Sequence, residues 1–205
     1  MDPFHPPEIV VYGTSVIALS PDLVTIELGV VKEGKSAQAV QQETNTIMAQ
    51  VYKALFTQNV HKDSIQTIEI SIYPQYDYMD GSQLLKGFIA ANMISLQTTD
   101  LSNIGDLLDI AVRNGANRIS NITFRVLNED YYYQHALQSA LHNGYQKALT
   151  IANRSLTPVS IKELTAANST LYKASHMEYS TSSPVPISPG KIEIEAKVEM
   201  IYCIS

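Results

Sequence analysis

The sequence is short of several residue types, and each shortage excludes a class of protein. Among 205 residues there is one cysteine, Cys203, so no disulfide framework can form within the chain. Tryptophan is absent. An apolar run of about 18 residues, the minimum for a membrane-spanning helix, occurs nowhere. Cys203 lies in a pattern typical of a strand, and we interpret it as a structural residue rather than a reactive thiol.

Positive charge is also scarce. The chain has 14 Lys and Arg against 20 Asp and Glu, a net charge of −6. Such an acidic chain repels phosphate backbones, which argues against a nucleic-acid partner.

Apolar residues make up 45% of the sequence, enough to bury a core. At about 150 residues per domain, the length predicts one large domain or two small, closely packed ones.

The first residues do not resemble an export signal. Residues 1–8 lack a basic stretch followed by an apolar one. If Met1 is the native start, we expect a cytoplasmic protein; if a leader has been removed, we expect the periplasm or cell envelope. Three prolines within residues 1–7 predict an irregular N-terminal arm.

Alternating apolar residues predict strands, and apolar residues spaced by three and four predict helices. Strand patterns cover residues 9–19, 24–30, 67–78, 87–98, 122–126, 159–166 and 192–200. Helical stripes run from the N-cap candidate Ser36 to about Leu55, from Leu101 to Val112, and from Glu129 to about Asn153.

Short turns join several of these elements. Ser20-Pro21-Asp22 predicts a hairpin of the first two strands, and Asp80-Gly81 predicts a second, longer hairpin. We predict Gly13 at a β-bulge. The order is β-β-α-β-β-α-β-α-β-β, which favours an α+β fold: an antiparallel sheet built from long hairpins, with three helices packed on it.

The domain organisation follows from composition. Residues 8–203 form the folded domain, with an alternative division into closely packed subdomains of about 8–85 and 86–203. Residues 167–190 hold three prolines and many Ser and Thr, and we predict an exposed loop.

Several motifs, in order and spacing, resemble those of the SIMPL-domain family. They are Gly13, Pro21-Asp22 and Leu28-Gly29-Val30, then Pro74-Gln75-Tyr76-Asp77-Tyr78 with Gly87-Phe88, then Gly115-Ala116-Asn117 with Ile122 and Phe124, and a Glu-rich last strand. The resemblance implies a bacterial α+β protein related to periplasmic immunogenic and outer-membrane-associated members. It further implies oligomeric assembly, a link to stress tolerance and no known catalytic residues. Members usually carry an export leader, and Phe88 stands where Tyr is common.

No pattern of catalytic, cofactor-binding or metal-ligating residues stands out. His135 and His142 share a helix but lie about 10.5 Å apart along its axis, too far for one zinc ion. Asp77, Asp80 and Glu69 carry oxygen ligands without the calcium-loop pattern, so a turn explains them better. A nucleophile elbow and a phosphate-binding loop are both missing.

Tyrosine is the unusual feature, with 12 residues. Tyrosine combines a large apolar ring with a polar tip and is common at interfaces. Two clusters are candidates for an interface, although packing within the fold would also explain them. Because Pro74 cannot donate to a central ladder, we predict that the strand of the first cluster lies at a sheet edge. The interface candidates are Tyr73, Tyr76, Tyr78, Phe88, Tyr131 and Tyr132.

These observations favour a non-enzymatic protein that works as an oligomeric binding or scaffold module. The expected partner is a second copy of the chain, since closed symmetry is the usual way to cover identical edges. Two alternatives stay open. One is a carrier of an unidentified small ligand, bound between sheet and helices by Tyr and Ile; the other is a hydrolase whose His, Ser and acidic groups meet only in space.

Overall fold

The computed structural model describes residues 7–79, 82–153, 155–165, 170–173 and 189–204. Three α-helices lie in this part of the chain: α1 (Ala37–Thr57), α2 (Ile104–Arg113) and α3 (Glu129–Ala152). The strands are β1 (Glu8–Leu19), β2 (Leu23–Gly34), β3 (Ile65–Met79), β4 (Ser82–Thr98), β5 (Arg118–Arg125), β6 (Leu156–Glu163), β7 (Thr170–Lys173) and β8 (Lys191–Ile204). None of these helices is long and apolar enough to span a bilayer.

The strands form two antiparallel sheets, which confirms the α+β class. One sheet has the order β1-β8-β6, with β7 also paired to β8; the other has the order β3-β4-β2-β5. The antiparallel pairing is as predicted, and the strands divide between two sheets where one was expected. The predicted β3–β4 hairpin is confirmed, although its turn residues Asp80 and Gly81 lie outside the described residues.

The predicted hairpin of β1 and β2 is wrong. β1 pairs along its whole length with β8, from Glu8 opposite Cys203 to Leu19 opposite Ile192, while β2 pairs with β4 and β5. Ser20-Pro21-Asp22 permits a hairpin but does not require one. Each of the two strands instead pairs with strands far away in the sequence. This pairing gives each strand a continuous ladder and a face that is covered by a helix.

The chain consequently forms two compact units. Of the described residues, the first unit contains 7–21, 126–153, 155–165, 170–173 and 189–204, and the second contains 22–79 and 82–125. A division near residue 85 would fall inside β4, whose pairing with β2 and β3 holds the second unit together.

The first unit packs α3 against the sheet through small residues. Ala136, Ala140, Gly144 and Ala148, each four residues apart, are the buried residues of this helix. A Cβ on Gly13 would lie 2.0 Å from the Ala140 carbonyl oxygen. Gly13 is therefore a site of close approach and not the predicted bulge, since the β1–β8 register is unbroken there.

The second unit covers its sheet with α1 and α2. Its core cluster includes Val24, Ile26, Leu28 and Val30 of β2, Met48, Val51 and Leu55 of α1, and Leu107 and Leu108 of α2. These are residues of the predicted alternating run and helical stripes. Ser36 caps α1, because its side chain accepts a hydrogen bond from the Ala39 N–H at 3.4 Å.

Asn117 extends the β2–β5 ladder with its side chain. Its Oδ1 accepts from the Val31 N–H and its Nδ2 donates to the Val31 carbonyl, both at 2.8 Å. Gly115 precedes it with a φ of 103°, a conformation that favours glycine. The Gly115-Ala116-Asn117 motif thus ends α2 and begins β5 in register.

The predicted loop at 167–190 is described only in part. Thr170–Lys173 form β7, which pairs with Lys191–Ile194 of β8. A short strand therefore stands where only loop was expected, because the apolar alternation of β8 offers an edge beyond the end of β6. Residues 1–6 of the predicted N-terminal arm lie outside the described residues.

Candidate interaction surface

β3 and β4 continue beyond the end of β2 as a two-stranded arm. β2 ends at Gly34, opposite Phe88, whereas β3 stays paired with β4 as far as Met79 opposite Ser82. We define the arm as residues 74–79 and 82–87. Two strands without a third are marginally stable in water, so an arm of this kind gains from a further contact.

The arm exposes large apolar side chains. Tyr76 is 46% exposed, Tyr78 76%, Leu84 53% and Leu85 55%. Tyr76 lies opposite Leu85, and alternation places Tyr78 on the same face. Contiguous exposed apolar groups of this kind mark interaction sites more often than chance exposure of single residues does.

Tyr73 and Phe88 lie at the root of the arm. Tyr73 is 58% exposed, while Phe88 is half-buried opposite Pro74. By alternation Tyr73 faces away from Tyr76. β3 is an edge strand, as predicted from Pro74. Pro74 and the two irregularities in the β3–β4 register hinder pairing of a further strand with this edge. A contact here would therefore use side chains.

The described part of the arm carries one charge of each sign. These are Asp77 on β3 and Lys86 on β4, and both are exposed. By alternation Asp77 faces away from its neighbours Tyr76 and Tyr78, so the acid lies on the opposite face of the arm from these two rings. The apolar face of the arm, and not its charge, is therefore the candidate for a contact with a second copy.

The second tyrosine cluster lies at the start of α3, in the first unit. Tyr131 is 58% exposed and stacks edge-on against Tyr132 and His135, with ring centroids 5.3 and 4.5 Å away. Tyr132 packs against the core. Only Tyr131 of this cluster offers a substantial free surface, so the arm is the stronger candidate.

Tyr133, which was not a candidate, has a clear structural role. Its hydroxyl donates a hydrogen bond to the Glu163 carboxylate on β6. Burial, and then this carboxylate, raise the pKa of Tyr133 above its ordinary value. The phenol thus ties the start of α3 to an edge strand.

A polar cavity of about 570 Å³ lies in the second unit, where no sequence pattern predicted one. Its walls come from the segment after α1, the end of β4 and the start of α2, so no spacing pattern links them. Its lining includes His61, Asp63, Ser64, Asp100, Asn103 and Asp106. The small-ligand alternative expected Tyr and Ile walls, which this cavity lacks.

The hydrogen bonds of Asp100 in this cavity are those of a residue that caps a turn. Asp100 accepts hydrogen bonds from Ser102 Oγ at 2.7 Å and Asn103 Nδ2 at 2.5 Å. These bonds lower the pKa of Asp100. In the described cavity wall, no side-chain hydrogen bond joins His61 to Ser64, the bond that an activated serine needs. Within the described residues no group of three or more His, Cys, Asp or Glu could hold a metal ion.

Comparison with known proteins gives consistent relatives. The chain is 30% identical over 156 residues to the Uncharacterized protein YggE of Escherichia coli strain K12, covering 75% of this chain and 63% of YggE. It is 27% identical over 154 residues to the 26 kDa periplasmic immunogenic protein of Brucella melitensis, covering 73% and 62%. The match thus spans less than two thirds of the length of these curated relatives.

The family assignment rests on nearly the whole chain. Residues 9–202 match the SIMPL family, described as a protein of unknown function (DUF541). This range takes in both units and the residues of the arm. The chain belongs to the SIMPL family.

Proposed function

We propose that the chain is a non-enzymatic protein that associates with copies of itself through the arm and serves as an oligomeric binding or scaffold module. The observation that carries the proposal is the arm itself, a two-stranded extension with Tyr76, Tyr78 and Leu85 exposed on one face. In a two-fold contact, two such faces would cover each other.

The site of action in this proposal is the periplasm or cell envelope. The Brucella relatives are named periplasmic proteins, and this supports the second of the two locations expected from the sequence. A role in stress tolerance rests on the family resemblance alone. Deletion of the gene should lower survival of the host under at least one of heat, acid and oxidant stress, and a gene carrying Tyr76→Ser should fail to restore it.

A charge exchange tests the two-fold contact. Tyr78→Lys places a base, and Leu85→Glu an acid, on the face of the arm that carries Tyr76. Each variant alone should repel its own copy, whereas an equal mixture should associate, because basic arms meet acidic ones. Masses are measured by sedimentation velocity at matched concentrations. Association of each single variant as strong as that of the unchanged chain would refute the contact.

The hydrolase alternative places its site in the polar cavity. It needs Ser64 or another hydroxyl activated by His61, and the geometry lacks that hydrogen bond. Under our proposal, any hydrolysis of p-nitrophenyl acetate by the purified chain is the same for Ser64→Ala and His61→Ala. A rate that falls at least a hundredfold in both variants would favour the enzyme instead.

A further inference from the structure

A groove lies in the first unit, along the free edge of β1 and beside α3. It is a shallow groove of about 560 Å³, open to solvent, with Val10 and Tyr12 on the strand side and Lys147, Thr150 and Ile151 on the helix side. We propose that this groove binds an extended segment of another polypeptide chain, which adds to β1 as a further strand. This binding is separate from the self-association assigned to the arm.

The outward edge of β1 can be identified from its hydrogen bonds. The Thr14 N–H donates to Asn143 Oδ1 at 3.3 Å, and the Tyr12 carbonyl accepts from Lys147 Nζ at 2.8 Å. These groups therefore point away from β8. In an antiparallel strand, the N–H and C=O of one residue point to the same side and alternate along the chain. Val10, two residues before Tyr12, thus directs both its backbone groups outward.

The side chains of α3 follow this edge in steps. Asn143, Lys147 and Ile151 are four residues apart, or about 6 Å per step along the helix. Two residues of a strand advance by about 6.8 Å, so each helical step matches one outward residue of β1. Asn143 bonds Thr14 and Lys147 bonds Tyr12. The third step brings Ile151 to the level of Val10.

Ile151 cannot form the hydrogen bonds that the other two steps provide. In the described chain the outward N–H and C=O of Val10 consequently have no partner. Both side chains are also open, with Ile151 63% and Val10 51% exposed. Side chains of α3 therefore cover the edge at Thr14 and Tyr12 but not at Val10, beside the groove. There the edge offers one N–H donor and one C=O acceptor next to apolar side chains.

These features select an extended peptide as the occupant. Strand addition uses unpaired edge groups for affinity and side-chain pockets for specificity. Lys147 is the one charged side chain among the described lining residues, so it favours an acidic side chain in the added strand. Since Lys147 and Ile151 lie one step apart, the fitting segment carries an acid and, two residues away, an apolar side chain.

A second copy of β1 fits the same edge less well. A two-fold β1–β1 ladder along the whole strand would need its middle, where Asn143 and Lys147 already bond Thr14 and Tyr12. The open stretches lie on either side, around Val10 and around Val16, and the groove borders the first of them. Each stretch is long enough only for a short added segment.

The test uses a fluorescein-labelled peptide amide, Thr-Glu-Val-Leu-Thr, whose binding to the full chain is followed by fluorescence anisotropy. The key variant is Val10→Pro, which removes the outward N–H but none of the bonds to β8. We expect its affinity to fall by about tenfold or more, in line with loss of a backbone hydrogen bond and its neighbours. Val16→Pro is the matched control: Val16 is also an outward residue of β1, 55% exposed, and lies outside the groove. It should bind as the unchanged chain does.

A charge exchange at Lys147 tests whether the acidic side chain of the bound peptide lies beside this lysine. Lys147→Glu should weaken binding of the Glu peptide and strengthen binding of the same peptide with Lys at its second position. Absence of binding of the Glu peptide to the unchanged chain would overturn the proposal. So would equal losses in Val10→Pro and Val16→Pro. Loss of assembly mass in Val10→Pro with unchanged peptide affinity would also overturn it, by assigning the edge to a second copy.

Discussion

Gly13 of β1 and Gly144 of α3 lie backbone to backbone: a Cβ added to Gly144 would stand 3.3 Å from the Gly13 Cα. This close approach lets Asn143 and Lys147 reach over the edge of β1 to its backbone. Two glycines thus set the position of the helix and, through it, the groove beside the strand.

Gly13→Ala should destabilise the first unit by about 1–3 kcal/mol, because the added methyl group meets backbone atoms of α3 that cannot move aside alone. Urea unfolding followed by far-ultraviolet circular dichroism measures the loss. Ala18→Val is the control, since Ala18 is exposed on the same strand. Equal stability of Gly13→Ala and the unchanged chain would show that the packing of α3 is looser than described.

Asn117→Asp should cost about 1 kcal/mol of unfolding free energy, since the Val31 carbonyl loses its donor and faces a carboxylate instead. Asn117→Ala should cost less than Asn117→Asp, because it removes both bonds without adding a charge. Urea unfolding monitored by circular dichroism gives the free energy of unfolding of each variant, and so shows which of the two loses more. The reverse order would contradict the pairing of the Asn117 amide with both Val31 groups.

Alkaline pH should weaken the first unit through Tyr133. Because its pKa in the folded state is raised above the ordinary value of 10.0, its stabilising effect is complete below pH 10.0. That effect is lost as pH rises through the folded-state pKa and ionised phenol meets Glu163. Tyr133→Phe should lose less stability between pH 9 and 11 than the unchanged chain does, as thermal unfolding at each pH would show. Equal losses of stability in Tyr133→Phe and in the unchanged chain would show that Tyr133 is not the cause.

Tyr76→Ser should weaken self-association by about 2 kcal/mol, or roughly 30-fold in the dissociation constant, if the ring lies at the contact. Tyr131→Ser is the matched comparison, since Tyr131 is 58% exposed and Tyr76 46%. Sedimentation equilibrium compares the two variants. Dissociation by Tyr131→Ser with no effect of Tyr76→Ser would move the interface to the start of α3.

The sequence predicted local structure well and strand partners poorly. The alternation of Val24 to Val30 and the stripe through Met48 and Leu55 depend on neighbours within a few turns, and both are in the observed core. The pairing of β1 with β8 depends on residues almost the whole chain apart, and local turn chemistry at Pro21 pointed to a different partner.

The candidate surface shows the same limit. Tyr73, Tyr76 and Tyr78 were found because they cluster in sequence, and their edge strand could be predicted from Pro74. The groove could not be predicted, because the contact between Lys147 and the Tyr12 carbonyl depends on the order of the strands in the sheet. Local sequence patterns do not determine that order. The polar cavity likewise joins three separate stretches of chain.

The mass of the intact assembly tests self-association most directly. Native mass spectrometry of the full chain, confirmed by light scattering over a hundredfold range of concentration, should give a multiple of the 22.6 kDa chain mass. A single species of 22.6 kDa at every concentration would contradict the proposed role of the arm.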